Sequence, residues 1–233
     1  MSVGVASLAA CGGAPKDDAA RASAGDSAGK SAATAHSPSV GARRVLFVGT
    51  SLTAGLGLEP EDAFPALIGQ KIDSAGLGFE VVNAGLSGET SAGALRRVDW
   101  LLREPAQVVV LETGANDGLR GLDIDSTRAN IRGIVAKIRA ALPTARILLV
   151  QMEAPPNLGG AYTAGFRAMY QEIAREEGLE LIPFLLEGVA GETGLNQADG
   201  IHPNESGERI VAENVWRALR PVLETLDPAA QNR

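Results

Sequence analysis

Apolar positions in this chain gather into five short continuous runs, separated by longer stretches in which they recur every three or four residues. The runs lie at 44–49, 79–83, 107–112, 146–151 and 179–183. Val108-Val109-Val110-Leu111 and Ile147-Leu148-Leu149-Val150 leave no polar position to face water. They predict strands covered on both sides rather than half-exposed ones. The helical period predicts helices over 63–74, 91–103, 126–141, 165–177 and 206–226. In the third, Ile131, Ile134, Val135 and Ile138 share a face, with Asp125 or Ser126 as the cap. Ser206 reads as the cap of the last helix. Strands alternating with helices predict an α/β protein, a parallel sheet with helices on both faces.

The first forty residues break this pattern. From 12 to 42 the chain is Ala, Ser, Gly, Lys and Asp with almost no large apolar residue. Such a segment buries too little surface to offset its ordering entropy and predicts a flexible linker. Ahead of it, Leu8-Ala9-Ala10-Cys11-Gly12 resembles a bacterial lipobox, in which the cysteine is lipidated. The expected organisation is a signal or lipobox-like segment at 1–11, the linker at 12–42, one folded domain at 43–227 and a tail at 228–233. Lipidation at Cys11 implies a protein at the cell envelope, lipid-anchored or periplasmic.

Composition narrows the partners. A net charge of −7 argues against nucleic acid, and 4% aromatic residues argue against base-stacking platforms. One cysteine excludes an internal disulfide and a cysteine zinc cluster. No run of about 18 apolar residues predicts a membrane span. Of the two histidines, His36 lies in the linker, so His202 is the one expected in the folded domain.

His202 lies three residues after Asp199 in Asp199-Gly200-Ile201-His202-Pro203. An imidazole oriented by a carboxylate is two-thirds of a nucleophilic triad. Three other loops follow strands at the same sheet edge, where sites of open α/β folds gather. They are Gly49-Thr50-Ser51-Leu52, Asn83-Ala84-Gly85-Leu86-Ser87-Gly88 and Gly114-Ala115-Asn116-Asp117-Gly118. Acyl transfer needs a nucleophile, a base, an orienting acid and donors for the oxyanion. Ser51 at the first strand-to-helix turn fits the nucleophile, with Ser87, Ser91 and Ser206 as rivals. The backbone N–H of Ser51, the Gly85 N–H and the Asn116 amide fit the oxyanion donors. The Gly-x-Ser-x-Gly elbow of α/β-hydrolases is absent, as are a dinucleotide fingerprint and a Walker lysine. Asp117, Asp123 and Asp125 read as a polar loop and helix cap rather than a metal site.

These four loops resemble the four blocks of the SGNH hydrolases, also called GDSL-type esterases, over nearly all of 43–226. Ser51, Gly85, Asn116 and His202 fall on the residues that name that family, and Asp199 on its acid. Gly114 to Gly121 is similar to the bacterial arylesterase and multifunctional thioesterase/lysophospholipase branch. The resemblance implies a flavodoxin-like three-layer α/β/α sandwich with a five-stranded sheet in the order 2-1-3-4-5. It implies ester or thioester hydrolysis through an acyl-enzyme on Ser51, with no cofactor and no metal. A carbohydrate O-acetylesterase of the same fold and a catalytically inactive lipid- or glycan-binding module are the alternatives. The motif's Gly-Asp-Ser-Leu reads Gly-Thr-Ser-Leu here, and Thr50 in place of aspartate is expected to alter local hydrogen bonding or pocket polarity, and substrate preference more than mechanism. Apolar residues of 158–169 are candidates for an acyl groove, although a core role is the simpler reading.

Overall fold

The computed structural model describes residues 43–227. The lipobox-like segment, the linker and the tail lie outside the described residues.

Five strands form one sheet, β1 (Arg43–Gly49), β2 (Phe79–Gly85), β3 (Val108–Leu111), β4 (Arg146–Val150) and β5 (Glu180–Ile182). Their order is β2-β1-β3-β4-β5, and every neighbouring pair is parallel. Val108 to Leu111 are completely buried, as the unbroken apolar run requires. The helices are α1 (Ser51–Ala54), α2 (Phe64–Ser74), α3 (Ser91–Leu101), α4 (Ala115–Leu119), α5 (Ile124–Ala141), α6 (Gly160–Glu177) and α7 (Glu205–Leu226). α2 packs with α7, and α3 with α5 and α5 with α6, which covers the two faces of the sheet. The result is the expected three-layer sandwich.

Helix starts differ from expectation by a few residues, each for a local reason. α5 starts at Ile124 because Asp123, rather than Asp125 or Ser126, accepts the Ser126 N–H at 2.8 Å. α7 starts at Glu205 because Asn204, rather than Ser206, accepts the N–H groups of Ser206 and Gly207. α6 begins at Gly160, five residues earlier than the apolar pattern indicates. Its Phe166, Met169 and Tyr170 are fully buried.

The order of the strands creates a reversal at β1. The chain leaves β1 for β2 on one side, then crosses back to β3 on the other. Loops at the carboxyl ends of β1 and β3 therefore diverge and leave a crevice between them. α1 and α4 begin at these two ends.

Candidate active site

Ser51 is the first residue of α1, two residues past the end of β1, with Thr50 between them. At that position its backbone N–H has no acceptor within the helix. Its hydroxyl donates to His202 Nε2 at 2.8 Å. His202 Nδ1 in turn donates to Asp199 Oδ2 at 2.6 Å. The backbone N–H groups of Ile201 and His202 donate to Asp199 Oδ1 at 2.9 and 3.0 Å. With three contacts from two residues on one carboxylate, the loop folds around its own acid. Gly200 between them takes φ +69°, which a side chain resists. The His202 side chain and main chain and the Ile201 N–H hold the Asp199 carboxyl down to about 2. It is charged across the physiological range and keeps the imidazole in the tautomer that accepts the Ser51 proton.

The His202 loop is tied to the nucleophile's side of the crevice. The Gln197 side chain donates to Leu56 O at 2.7 Å and to Pro203 O at 2.9 Å, and the Gln197 N–H donates to His202 O at 2.7 Å. A residue outside every motif thus fixes the distance between the two catalytic loops.

The rival serines lie elsewhere. Ser91 is buried, with its hydroxyl on Asp117 Oδ1 at 2.5 Å. Ser87 is exposed, and Ser206 sits in the first turn of α7. Asp117, buried with Ser91 and Thr127 as donors, anchors the start of α3 rather than a metal ion. Among the described residues, no group of three His, Cys, Asp or Glu side chains is arranged to hold a metal.

Asn116 is the second residue of α4. Gly114 precedes it at φ +92°, where an added Cβ would meet the Tyr170 hydroxyl at 2.3 Å. Asn116 Nδ2 donates one hydrogen to Glu89 O at 3.0 Å. The second hydrogen of that amide remains for a ligand. Asn116, Ser51, His202 and Gly88 line one pocket of 290 Å3.

Gly85 does not take the expected place. β2 runs on to Gly85, which pairs with Gly49, and its N–H donates to Asn83 Oδ1 at 2.9 Å. A Cβ there would sit 2.3 Å from Ala54 N, so this glycine exists for close packing on α1. Three residues later, Gly88 lines the pocket at φ +77°, and among the described residues no protein group accepts its N–H. Gly88 therefore has the free donor that the sequence reading assigned to Gly85.

Thr50 does not face the pocket either. It is 1% exposed, and its N–H and hydroxyl both donate to Glu112, at 2.7 and 2.9 Å. The Thr53 hydroxyl donates to the same carboxylate at 2.9 Å. Burial pushes the Glu112 carboxyl up, and the donors of Thr50 and Thr53 pull it back. Of the two expected consequences, the structure therefore shows local hydrogen bonding beneath the nucleophile rather than a change in the pocket's polarity.

The pocket's apolar walls come from Leu56, Leu119, Met152, Phe184, Leu186 and Ile201. None belongs to 158–169, whose apolar side chains serve mostly the core. Met152 and Phe184 follow β4 and β5, a position that signals a site edge but not a chemistry.

A parallel sheet whose carboxyl edge carries Asp, His and Ser in hydrogen-bonded series defines a serine hydrolase. The chain belongs to the GDSL-like Lipase/Acylhydrolase family, which residues 47–210 match. Esterase TesA of Pseudomonas aeruginosa is 42% identical over 184 residues, 78% of this chain and 90% of that protein. Thioesterase 1/protease 1/lysophospholipase L1 of Escherichia coli strain K12 is 37% identical over 180 residues, 77% of this chain and 84% of that one. The crystal structure of the psychrotrophic esterase EstA from Pseudoalteromonas sp., inhibited by monoethylphosphonate, aligns at a TM-score of 0.74 and 33% identity. It covers 78% of this chain and 99% of its own. The protein is a serine ester hydrolase of this family.

Proposed function

We propose that the protein hydrolyses esters or thioesters carrying a single short- to medium-length acyl chain, as in aryl esters, lysophospholipids or acyl-CoA. His202 Nε2 takes the Ser51 proton as Ser51 Oγ attacks the carbonyl carbon. The oxyanion accepts from the N–H groups of Ser51 and Gly88 and from Asn116 Nδ2. As the tetrahedral species collapses, His202 returns the proton to the leaving oxygen or sulfur. Water then enters by the same route in reverse and frees the acid.

The observation that carries this reading is the unbroken series from Asp199 to His202 to Ser51, at 2.6 and 2.8 Å. The acyl preference rests on the pocket. At 290 Å3 it is near the low end of small-molecule sites, roughly 300–1,000 Å3, and most of its wall is apolar. An acetyl group would leave that wall unused.

Hydrolysis of p-nitrophenyl esters from C2 to C16, run beside Ser51→Ala, tests both parts. Activity should peak between C4 and C12 and fall by about four orders of magnitude or more in the variant. Full activity in Ser51→Ala overturns the assignment, and activity confined to C2 overturns the acyl preference in favour of a deacetylase.

The lipobox resemblance at Cys11 supports a lipid-anchored enzyme of the cell envelope, with residues 12–42 joining the anchor to the domain. An uncleaved, unmodified N-terminus in the mass spectrum of the membrane fraction would refute this. Among the described residues no helix is long and apolar enough to cross a membrane.

A further inference from the structure

The loop that carries Gly88 has no regular secondary structure, yet its donor must be aimed to a fraction of an ångström to serve an oxyanion. Arg97 of α3 is the group that reaches it. Arg97 Nε donates to Glu89 Oε1 at 2.6 Å, and Nη2 donates to Glu89 Oε2 at 2.7 Å. Nη2 also donates to Ala84 O at 2.8 Å and, less closely, to Gly49 O at 3.3 Å. Glu89 is nearly buried, with 4% of its side chain exposed. Gly93, one turn before Arg97, makes room for it: a Cβ there would meet Glu89 Cγ at 2.9 Å.

The partners of this one guanidinium belong to the parts of the site that must stay in register. Gly49 ends β1, two residues before Ser51. Ala84 and Glu89 bracket the turn that holds Gly88. The Glu89 carbonyl is the acceptor that orients Asn116 Nδ2 at 3.0 Å. A planar fork bound to a carboxylate through two N–H groups fixes direction as well as distance, which an ammonium does not.

We propose that Arg97 is a positioning residue. Its pair with Glu89 sets the Gly88 N–H and, through the Glu89 main chain, the Asn116 amide against the end of β1, where they meet the oxyanion. The inference rests on the esterase reading for what those donors bind.

The test compares Arg97→Lys, Arg97→Met and the double variant Arg97→Met/Glu89→Met, the last removing both charges so that no carboxylate is left buried alone. Each is also made in an Asn116→Ala background. A whole oxyanion donor is worth roughly 100- to 1,000-fold in kcat. Misaiming one should cost about 10- to 100-fold in kcat, with KM within twofold, in the folded double variant. Arg97→Lys keeps the charge and should recover only part of the loss. In the Asn116→Ala background the same substitutions should cost less than in the wild type, because one of the two donors they position is gone and only the Gly88 N–H is left to be misaimed. Undiminished cost in that background, or unchanged kcat in the first, overturns the proposal.

Amide NMR of the Gly88 N–H and the Asn116 side chain supplies a readout independent of turnover. Both signals should move in the double variant while those of β3 and β4 stay in place. Unmoved signals overturn the positioning role even if the wild type hydrolyses no ester. An inactive wild type whose two signals do move would overturn only the esterase reading.

Discussion

Glu208 is buried in the first turns of α7 at 1% exposure, and its carboxylate accepts the Phe64 N–H at 2.8 Å. Among the described residues it has no ion-pair partner. α2 starts without a side-chain cap of its own, since Ala63 holds that position. Glu208 thus caps α2 from 144 residues away, aided by the partial positive charge at the helix start. The cost is desolvation, which pushes its carboxyl from 4.5 up to about 8 against the smaller opposing effect of the Phe64 N–H. Below pH 4.5 the group is neutral in the folded and unfolded chains alike, and stability carries no penalty. From 4.5 to about 8 the unfolded chain has released its proton and the folded chain still holds it. Stability therefore falls by about 1.4 kcal/mol per pH unit across that window, and the loss is complete above it. The whole loss is about 5 kcal/mol at most, because relaxation around an ionised buried group lowers it. That is a large share of the 5–15 kcal/mol typical of a folded domain.

Glu208→Gln keeps the shape and the acceptor for Phe64 while removing the titration. Urea unfolding of both proteins at intervals from pH 4.5 to 8.5 measures the difference. The variant should gain on the wild type steadily as pH rises, by several kcal/mol over the window. The spare Gln N–H groups add a constant offset that leaves this slope untouched. Parallel stability profiles would refute the reasoning, whatever their separation.

Gly85→Ala should destabilise the fold by about 1–3 kcal/mol in thermal or urea unfolding, since its Cβ meets Ala54 N at 2.3 Å. Gly88→Ala has open space but a φ of +77°, so it should stay folded at a cost of about 1–2 kcal/mol and lose esterase activity instead. The reverse pattern would return the oxyanion role to Gly85. Because the Asp199 carboxyl is held down to about 2, log kcat/KM between pH 4 and 7 should rise with a slope no steeper than one. A slope of two would show a second essential group losing its proton there. Thr50→Asp sets a second carboxylate against Glu112, and two in contact resist ionising together. Its melting temperature, measured against wild type from pH 5 to 9, should fall increasingly behind as pH rises. A constant difference would refute that.

The layers and the catalytic series are legible because they follow from local pattern. Unbroken apolar runs such as 108–111 have no place except the middle of a covered sheet, and loops after such strands meet at one edge. His202 stands out because the chain has so few histidines, and Asp199 because it is close enough in sequence to reach the same ring. The choice between Gly85 and Gly88 depends instead on where β2 stops. A strand end is uncertain by a residue or two from pattern alone. Here the strand continues to Gly85, and Asn83 takes the N–H that would otherwise face the crevice. A three-residue slip along one loop replaces a donor with a packing contact. The helix starts moved for a similar reason, since Asn204 and Ser206 are equally good caps until the backbone selects one.

What no local pattern reveals is which charged residues the core retains. Glu89, Glu112 and Glu208 look in sequence like ordinary surface acids, yet each is buried against a main-chain or side-chain donor. For Glu112 and Glu208 that donor is 62 and 144 residues distant. Thr50 is a related case. Judged by its neighbours, a residue beside the nucleophile belongs to the pocket. Judged by its partner, it belongs to the floor, where it offers Glu112 two donors and no competing charge. Aspartate in that place would bring a second negative charge to a carboxylate that has no cation beside it among the described residues. Threonine at 50 and glutamate at 112 thus form one arrangement, and the consequence of changing either is to be sought in the pose of Ser51 and in stability at high pH before it is sought in substrate preference.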